Sequence, residues 1–373
     1  MSYPKLLPHI DNIPHDVPFV GPETLERQIG YGFLARIGAN ESAFGPAPSV
    51  LAAVKASIND VWHYGDPTNF EIRQALANFY NIEMDNIAVD AGADTLLGLI
   101  VRQFVGKGDK VINCLGGYPT FNYHVTAYGG EIISVPYCDY RSDLQGLLEA
   151  AKTHHAKIVY LANPDNPLGS WHERGGLENF IDVLPENILL VLDEAYGETA
   201  PEGTLPSLLP LRPNVLRVRT FSKAYGLAGM RFGYVIGDKH LMSGFDRIRD
   251  HFSLSILTQK AALAALQNQD YLQKSVTKII ASRHRLATIA IECGFIPLVS
   301  ATNFIAMDCQ RGPMFAQSLL LQLQRRGVFI RKPAASGLDH LIRVSTAPDH
   351  IIDIFEEALR PAIIASEKEG ELA

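Results

Sequence analysis

Short apolar runs recur along the first two thirds of the chain, and longer stretches with helical spacing lie between them. The runs are "NIAVDAG" from Asn86, "KVINCL" from Lys110, "EIISVPY" from Glu131, "AKIVYLANP" from Ala156, "ILLVLDEAY" from Ile188, "NVLRVRTFS" from Asn214 and "RFGYVIG" from Arg231. Each is short and rich in Val, Ile and Leu, and most are closed by Gly, Pro or Asp, which predicts strands. "ADTLLGLIVRQFV" from Ala93 repeats its apolar positions every three to four residues and predicts a helix, and "PTFNYHVTAYG" from Pro119 predicts the start of another. Strands apolar on both faces, separated by helices, predict a mostly parallel central sheet flanked by helices. This α/β unit is expected over residues 45–255. The pattern then changes. Residues 257–293 read as one long helical stretch. The strands "NFIAMD", "GVFIRK" and "HLIRVST" follow, with a helix between the first two, and then the amphipathic "IIDIFEEAL". A smaller α+β domain is expected from residues 256–373, joined by the N-terminal arm 1–44.

Composition narrows the function classes. With 373 residues, 47% of them hydrophobic, the chain has material for two domains with real cores. A net charge of −7 argues against a nucleic-acid binder, which needs a basic face. The cysteines Cys114, Cys138, Cys293 and Cys309 form no CxxC pair and read as reduced thiols. No apolar leader segment opens the chain, and no run reaches the ~18 apolar residues of a spanning helix. A soluble, cytoplasmic protein without a resident metal is expected, one that engages neither nucleic acid nor a membrane.

In parallel sheets, ligands bind beyond the carboxyl ends of the strands. There the chain carries Asn163 to Gly169, then Asp193, Glu194 and Tyr196, then Ser222 and Lys223, and after "IAVD" the helix start Gly92–Ala93–Asp94. Taken singly, Asp after a strand is often a helix cap and Asn-Pro a turn. Together they bring an amine, a carboxylate, a hydroxyl, an amide and an anion site to one sheet edge. The free N–H groups of "GAD" favour a phosphate, Ser222 adds a hydroxyl, and Arg231 can grip a phosphate with two N–H groups. A lysine beside a phosphate cradle, with an Asp for a pyridinium nitrogen, is what pyridoxal phosphate requires.

On these motifs the chain resembles the fold-type I, pyridoxal-phosphate-dependent aminotransferases, and among them the histidinol-phosphate aminotransferase family. "ANESAFGPAPSVLAAV" is similar to the family's N-E-N-P-x-G-P-S-P stretch, "HYGDP" to its R-Y-P-D-P, "AGADTLLGLI" to its G-x-D-E helix start and "YPTF" to its P-T-[FY]. "NPDNPLG" is similar to N-P-N-N-P-T-G, while "VLDEAY", "TFSKAYGLAGMRFGY" and "GLDHLIRVS" match the aspartate, lysine and C-terminal arginine motifs. The resemblance implies that Lys223 forms the Schiff base with the cofactor and, once freed by substrate, moves a proton from Cα to C4′. It implies that Asp193 pairs with the pyridine N–H⁺, that Tyr196 and Asn166 hydrogen-bond the ring oxygen, and that Phe121 stacks on the ring. Ala93 (by its backbone), Asp94, Ser222 and Arg231 would hold the phosphate, with Thr220 a further candidate on the same turn. Tyr64 would reach the phosphate of a neighbouring subunit, so a homodimer is implied.

The same resemblance assigns Arg343, Arg331 and Asn40 to the substrate. Two arginines suit a dianion, as in L-histidinol phosphate. The chain departs from the family where "VPFVGPE" has Phe19 in place of a tyrosine, where "RVSTAP" replaces R-[IV]-T-x-G-T, and where Lys332 stands in place of a proline. An aromatic amino acid therefore remains open as the amino donor, with 2-oxoglutarate and glutamate as the partner pair. A decarboxylase of a phosphorylated amino acid, resembling threonine-phosphate decarboxylase, is the alternative. A regulator built on this fold would carry an extra DNA-binding domain, for which no room is expected before the pattern starts near residue 17. "GYGFLA" at Gly30 fits G-x-G-x-x-A, but the helical "PETLERQI" precedes it where a nucleotide fingerprint needs a strand.

Overall fold

The computed structural model describes residues 4–11, 13 and 20–371. Its strands are β1 (Ala35–Arg36), β2 (Ile87–Asp90), β3 (Lys110–Cys114), β4 (Glu131–Val135), β5 (Ile158–Ala162), β6 (Leu189–Asp193), β7 (Val215–Thr220), β8 (Gly233–Ile236), β9 (Ile296–Pro297), β10 (Phe304–Asp308), β11 (Val328–Phe329) and β12 (Leu341–Ser345). The seven apolar runs of the first region pair into one sheet, in the order β2-β8-β7-β6-β5-β3-β4. β4, β3, β5, β6 and β7 run parallel, and β8 lies antiparallel between β7 and β2.

Both faces of this sheet are buried, and strand alternation decides what each meets. Ile158, Tyr160, Leu189, Val191, Leu216 and Val218 form one face and pack with Leu96, Leu97 and Ile100 of the helix Ala93–Phe104 and with Phe121 and Val125 of the helix Pro119–Ala127. Val159, Leu161, Leu190 and Leu192 form the other and pack with Leu147 and Leu177 of the helices Leu144–Thr153 and Arg174–Val183.

The stretch expected as a single helix over 257–293 is two helices, Ile256–Leu266 and Gln269–Glu292. Asn268 separates them: its side chain accepts from the Tyr271 N–H at 3.2 Å and caps the second helix. A short polar side chain that can satisfy a free N–H competes well with helix continuation. The first helix packs through Ala261, Ala262 and Ala265 on Val50, Ile72 and Leu76, beside the large sheet. Beyond it, β10 pairs antiparallel with β12 and β9, and a separate core gathers Leu286, Ile305, Leu319, Val344 and Phe355. Ala35 and Ile37 belong to that second core, and β1 pairs parallel with β11. Residues 35–37 are thereby tied to the C-terminal region.

No helix among the described residues is long and apolar enough to cross a membrane. "GYGFLA" is not a nucleotide loop: Gly30 caps the end of the helix Pro22–Ile29 in the left-handed conformation, φ 84°, and no helix follows the motif.

Candidate active site

Three neighbouring parallel strands end at one cleft. On the face defined by Ile158 and Tyr160, Leu189 and Val191, Leu216 and Val218, the next positions along each strand are Ala162, Asp193 and Thr220. All three line a cleft of about 300 Å³, together with Ala93, Asp94, Tyr118, Asn166, Tyr196, Ser222, Lys223 and Arg231. The period of two that buries the apolar residues thus also aims the polar strand ends into the cleft.

At the floor, Asp193 is buried. Its Oδ2 accepts from the Tyr160 hydroxyl at 2.6 Å and its Oδ1 from the Ala195 N–H at 2.9 Å. Burial raises its pKa to about 6, and the two hydrogen bonds and nearby Lys223 act against that rise. The next residue, Glu194, faces the other way. Its carboxylate takes Arg217 Nη2 at 2.6 Å and Nε at 3.0 Å, so the two adjacent acids serve opposite sides of the sheet.

After Thr220 the chain loops over the cleft and returns as β8. The Phe221 N–H donates to Phe232 O at 3.1 Å and the Leu227 N–H to Phe221 O at 3.0 Å, which closes the loop. Gly226, at φ 72°, is needed inside it, because a Cβ there would stand 2.6 Å from the Gly45 backbone. The closed loop brings Lys223, Ser222 and Arg231 onto one cleft. Lys223 Nζ donates to Asn40 O at 3.2 Å and lies 5.5 Å from the Tyr196 ring centre.

The helix Ala93–Phe104 opens at the same cleft, with first-turn N–H groups that have no helical acceptor. Arg231 crosses its start: a Cβ on Gly92 would be 2.5 Å from Arg231 Nη2, so glycine there makes room for the guanidinium. Ser222 Oγ lines the cleft 2.9 Å from Thr220 Oγ1, and Thr220 Oγ1 also lies 3.1 Å from the Phe232 carbonyl. Helix N–H groups, a hydroxyl and a guanidinium converge as a phosphate cradle. An aldehyde-reactive amine and a buried carboxylate stand on the same cleft, so the residues present fit pyridoxal phosphate.

The C-terminal region meets the cleft's edge, its upper wall, through the lining residue Asn166; Arg343, Arg331 and Asn40 stand behind the lining and are not part of it. Arg343, on β12, donates from Nη1 to Asn166 Oδ1 at 2.6 Å, and its guanidinium lies 5.1 Å from the Phe304 ring centre. Burial lowers its pKa to about 10. Arg331 pairs with it through the backbone, N–H to O at 3.2 Å one way and 2.6 Å the other, and donates from Nη2 to Val20 O at 2.9 Å. Asn40, left-handed at φ 55°, donates from Nδ2 to the Tyr196 hydroxyl at 3.0 Å.

Two expected residues lie elsewhere. Phe121 is fully buried and stacks on Tyr160 at 4.3 Å, inside the core; it is not on the cleft. Pro119 starts the helix, so Tyr118 precedes it and faces the cleft, while Phe121 has turned toward the sheet. Tyr118 is the aromatic side chain in the position where Phe121 was expected. Tyr64 is 75% exposed and stacked on Phe252, outside the cleft of its own chain. Phe19 lies outside the described residues. Sequence reasoning missed Tyr160, whose signal was a lone hydroxyl inside an apolar strand. It also missed Ser345 and Asn303, which hold Asn40 from far along the chain.

Comparison with known proteins agrees with this geometry. The family profile for aminotransferase class I and II matches residues 35–359. Histidinol-phosphate aminotransferase 2 of Carboxydothermus hydrogenoformans is 32% identical over 342 residues, covering 90% of this chain and 93% of that protein. A crystal structure of histidinol-phosphate aminotransferase from Sinorhizobium meliloti, in complex with pyridoxal-5′-phosphate, has a TM-score of 0.94 and 49% identity, over 98% of this chain and 99% of that one. L-threonine-O-3-phosphate decarboxylase from Porphyromonas gingivalis shares the fold, with a TM-score of 0.76 at 21% identity over 88% of this chain and 99% of that one.

Proposed function

This chain belongs to the class I and II aminotransferases, and from that premise we propose that it is a pyridoxal-phosphate-dependent transaminase acting on L-histidinol phosphate, with 2-oxoglutarate and glutamate as the partner pair. The observation that carries the substrate reading is the pairing of Arg331 with Arg343 on adjacent backbone, with Arg343 bonded to Asn166 at the edge of a cleft that has a separate candidate phosphate cradle. Two guanidiniums side by side suit a second, dianionic phosphate better than one carboxylate.

Ala93 N–H, Asp94, Ser222 and Arg231 would hold the cofactor's phosphate, Asp193 would meet its ring nitrogen, and Asn166 and Tyr196 would meet its ring oxygen. Tyr118 covers the ring. The cofactor supplies an electron sink for the pair left when the substrate's amine-bearing carbon loses a proton. Lys223 would provide the amine that holds the cofactor's aldehyde, and the same amine would serve as the base that takes up and returns the substrate's proton. Asp193 acts as an anion against the ring N–H⁺, and its buried position strengthens that interaction. Arg343 and Arg331 fix the far end of the substrate, so the amine-bearing carbon is held under Lys223.

The working unit is a cytoplasmic homodimer in which Tyr64 meets the partner's cofactor phosphate; its exposure on a single chain supports this. The four free cysteines fit a reducing compartment. Sedimentation at micromolar concentration checks the dimer, with a monomer the opposing result.

The functional test is single-turnover spectroscopy. Holo-protein mixed with L-histidinol phosphate, without any oxo acid, loses its visible cofactor band. Conversion by an aromatic amino acid but not by histidinol phosphate would reassign the substrate. Release of CO₂ from a phosphorylated amino acid without 2-oxoglutarate would favour the decarboxylase.

A further inference from the structure

Ser345 was given no role in the site, yet its hydrogen bonds decide how Asn40 is used. The Asn40 N–H donates to Ser345 Oγ at 3.0 Å, and Ser345 Oγ donates to Asn40 Oδ1 at 3.1 Å. The hydroxyl has one hydrogen, and this pair of bonds uses it on the carboxamide oxygen. The Asn40 Nδ2 is thereby turned toward Tyr196, where it donates to the phenol oxygen at 3.0 Å. A phenol that accepts from Asn40 has its own proton free for the cleft. If the carboxamide flipped, Ser345 would lose its acceptor, and Tyr196 would have to spend its proton on Asn40.

The same asparagine is pinned at its carbonyl. Asn40 O accepts from Asn303 Nδ2 at 3.0 Å and from Lys223 Nζ at 3.2 Å. Ser345, Asn40 and Asn303 are all buried, so solvent offers no substitute partners. Ser345 stands two residues beyond Arg343 on β12, and side chains two apart share a strand face. One strand therefore carries the arginine that reaches Asn166 and the hydroxyl that orients Asn40.

We infer that Ser345 is a positioning residue: through Asn40 it aims the Tyr196 phenol proton at the cofactor's ring oxygen, and it ties that setting to the strand that carries the substrate arginine. The inference rests on the cofactor reading above. A donor aimed at the ring oxygen stabilises its ionised form and holds down the pH at which the visible band of the loaded enzyme changes.

The test is a pH titration of that band in wild-type, Ser345→Ala and Ser345→Thr holoenzymes. Ser345→Ala raises the midpoint by about half a unit to one unit, the size of one hydrogen bond. Ser345→Thr keeps the hydroxyl and the wild-type midpoint. In a Tyr196→Phe background the Ser345→Ala shift disappears, because the phenol that relays it is gone. Steady-state kinetics of Ser345→Ala show a lower kcat with KM for the amino donor changed less than twofold. Ser345→Cys, with a weaker donor of similar size, gives a smaller shift of the same sign and serves if the alanine variant does not fold. A midpoint equal to wild type in Ser345→Ala, or an equal shift with and without the Tyr196 hydroxyl, overturns the inference. Wild-type protein that forms no visible band with added pyridoxal phosphate would instead overturn the cofactor reading and this inference with it.

Discussion

The floor and the upper wall of the cleft are built differently. At the floor, Asp193 is held by Tyr160 on the next strand and by Ala195 two residues on. Its partners are local or in the same parallel sheet. At the wall, Arg343 meets Asn166 across 177 residues and Arg331 meets Val20 across 311. The floor places charge by strand alternation, so its geometry is fixed as soon as the sheet forms. The wall places charge by bringing distant segments together. On the proposed reading the two regions divide the work: the floor carries the chemistry common to many amines, and the wall carries the choice among them.

That division can be broken at either side. The largest effect is expected at the floor. Lys223→Ala abolishes the visible cofactor band and lowers turnover at least ~10³-fold, since no other amine lines the cleft. Spectra and single-turnover rates check it, and a variant turning over at the wild-type rate would remove Lys223 from the mechanism. At the wall, Arg343→Gln lowers kcat/KM for histidinol phosphate by roughly 10²-fold, the cost of removing one partner of a buried charge-assisted contact. The cofactor band of that variant stays intact, which separates wall from floor.

Asp193→Asn is the next test. It weakens cofactor retention and slows turnover about tenfold or more, because a neutral amide cannot hold the ring N–H⁺. The cofactor-free variant has a second signature. Burial raises the Asp193 pKa from 3.8 to about 6, so the folded chain binds this proton more tightly than the unfolded one. Stability from this group therefore falls as pH rises from about 4 to 6 and stays lower above. Cofactor-free Asp193→Asn should be more stable than wild type at pH 7.5, by on the order of 1–3 kcal/mol, with the gap closing near pH 4. Denaturant melts at the two pH values read this directly. The smallest effect is expected for Arg331→Lys. It keeps the charge but loses the planar fork, and lowers kcat/KM about three- to tenfold for a phosphorylated donor and less for an unphosphorylated one.

How far each region could be read from sequence follows from the same contrast. Asp193 and Thr220 were legible, because a period of two carries each strand's pattern to its end. Lys223 and Arg231 were legible because a single closed loop joins them. Tyr118 was misread as Phe121 because the phase of a helix depends on where it starts, and Pro119 starts it. Tyr160 was invisible inside an apolar strand, since only the neighbouring strand reveals its partner. The contact of Asn40 with Ser345 spans 305 residues, and no local pattern reports it. The break at Asn268 was hidden by good helix formers on both sides.

The pair behind the sheet has a consequence for how the chain reaches this arrangement. Asp193 and Glu194 are neighbours of like charge, and a shift of one residue in β6 would exchange the sides they face. Glu194 would then enter the cleft, and the shorter Asp193 would have to stand in for it against Arg217, losing the three-atom contact that Glu194 makes with that guanidinium. Such an alignment is penalised, since a buried ion pair is favourable only with good geometry and the shorter acid cannot reproduce it. The bond between Arg217 and Glu194 therefore works as a key between β6 and β7, admitting the one alignment in which the acid beside it reaches the cleft.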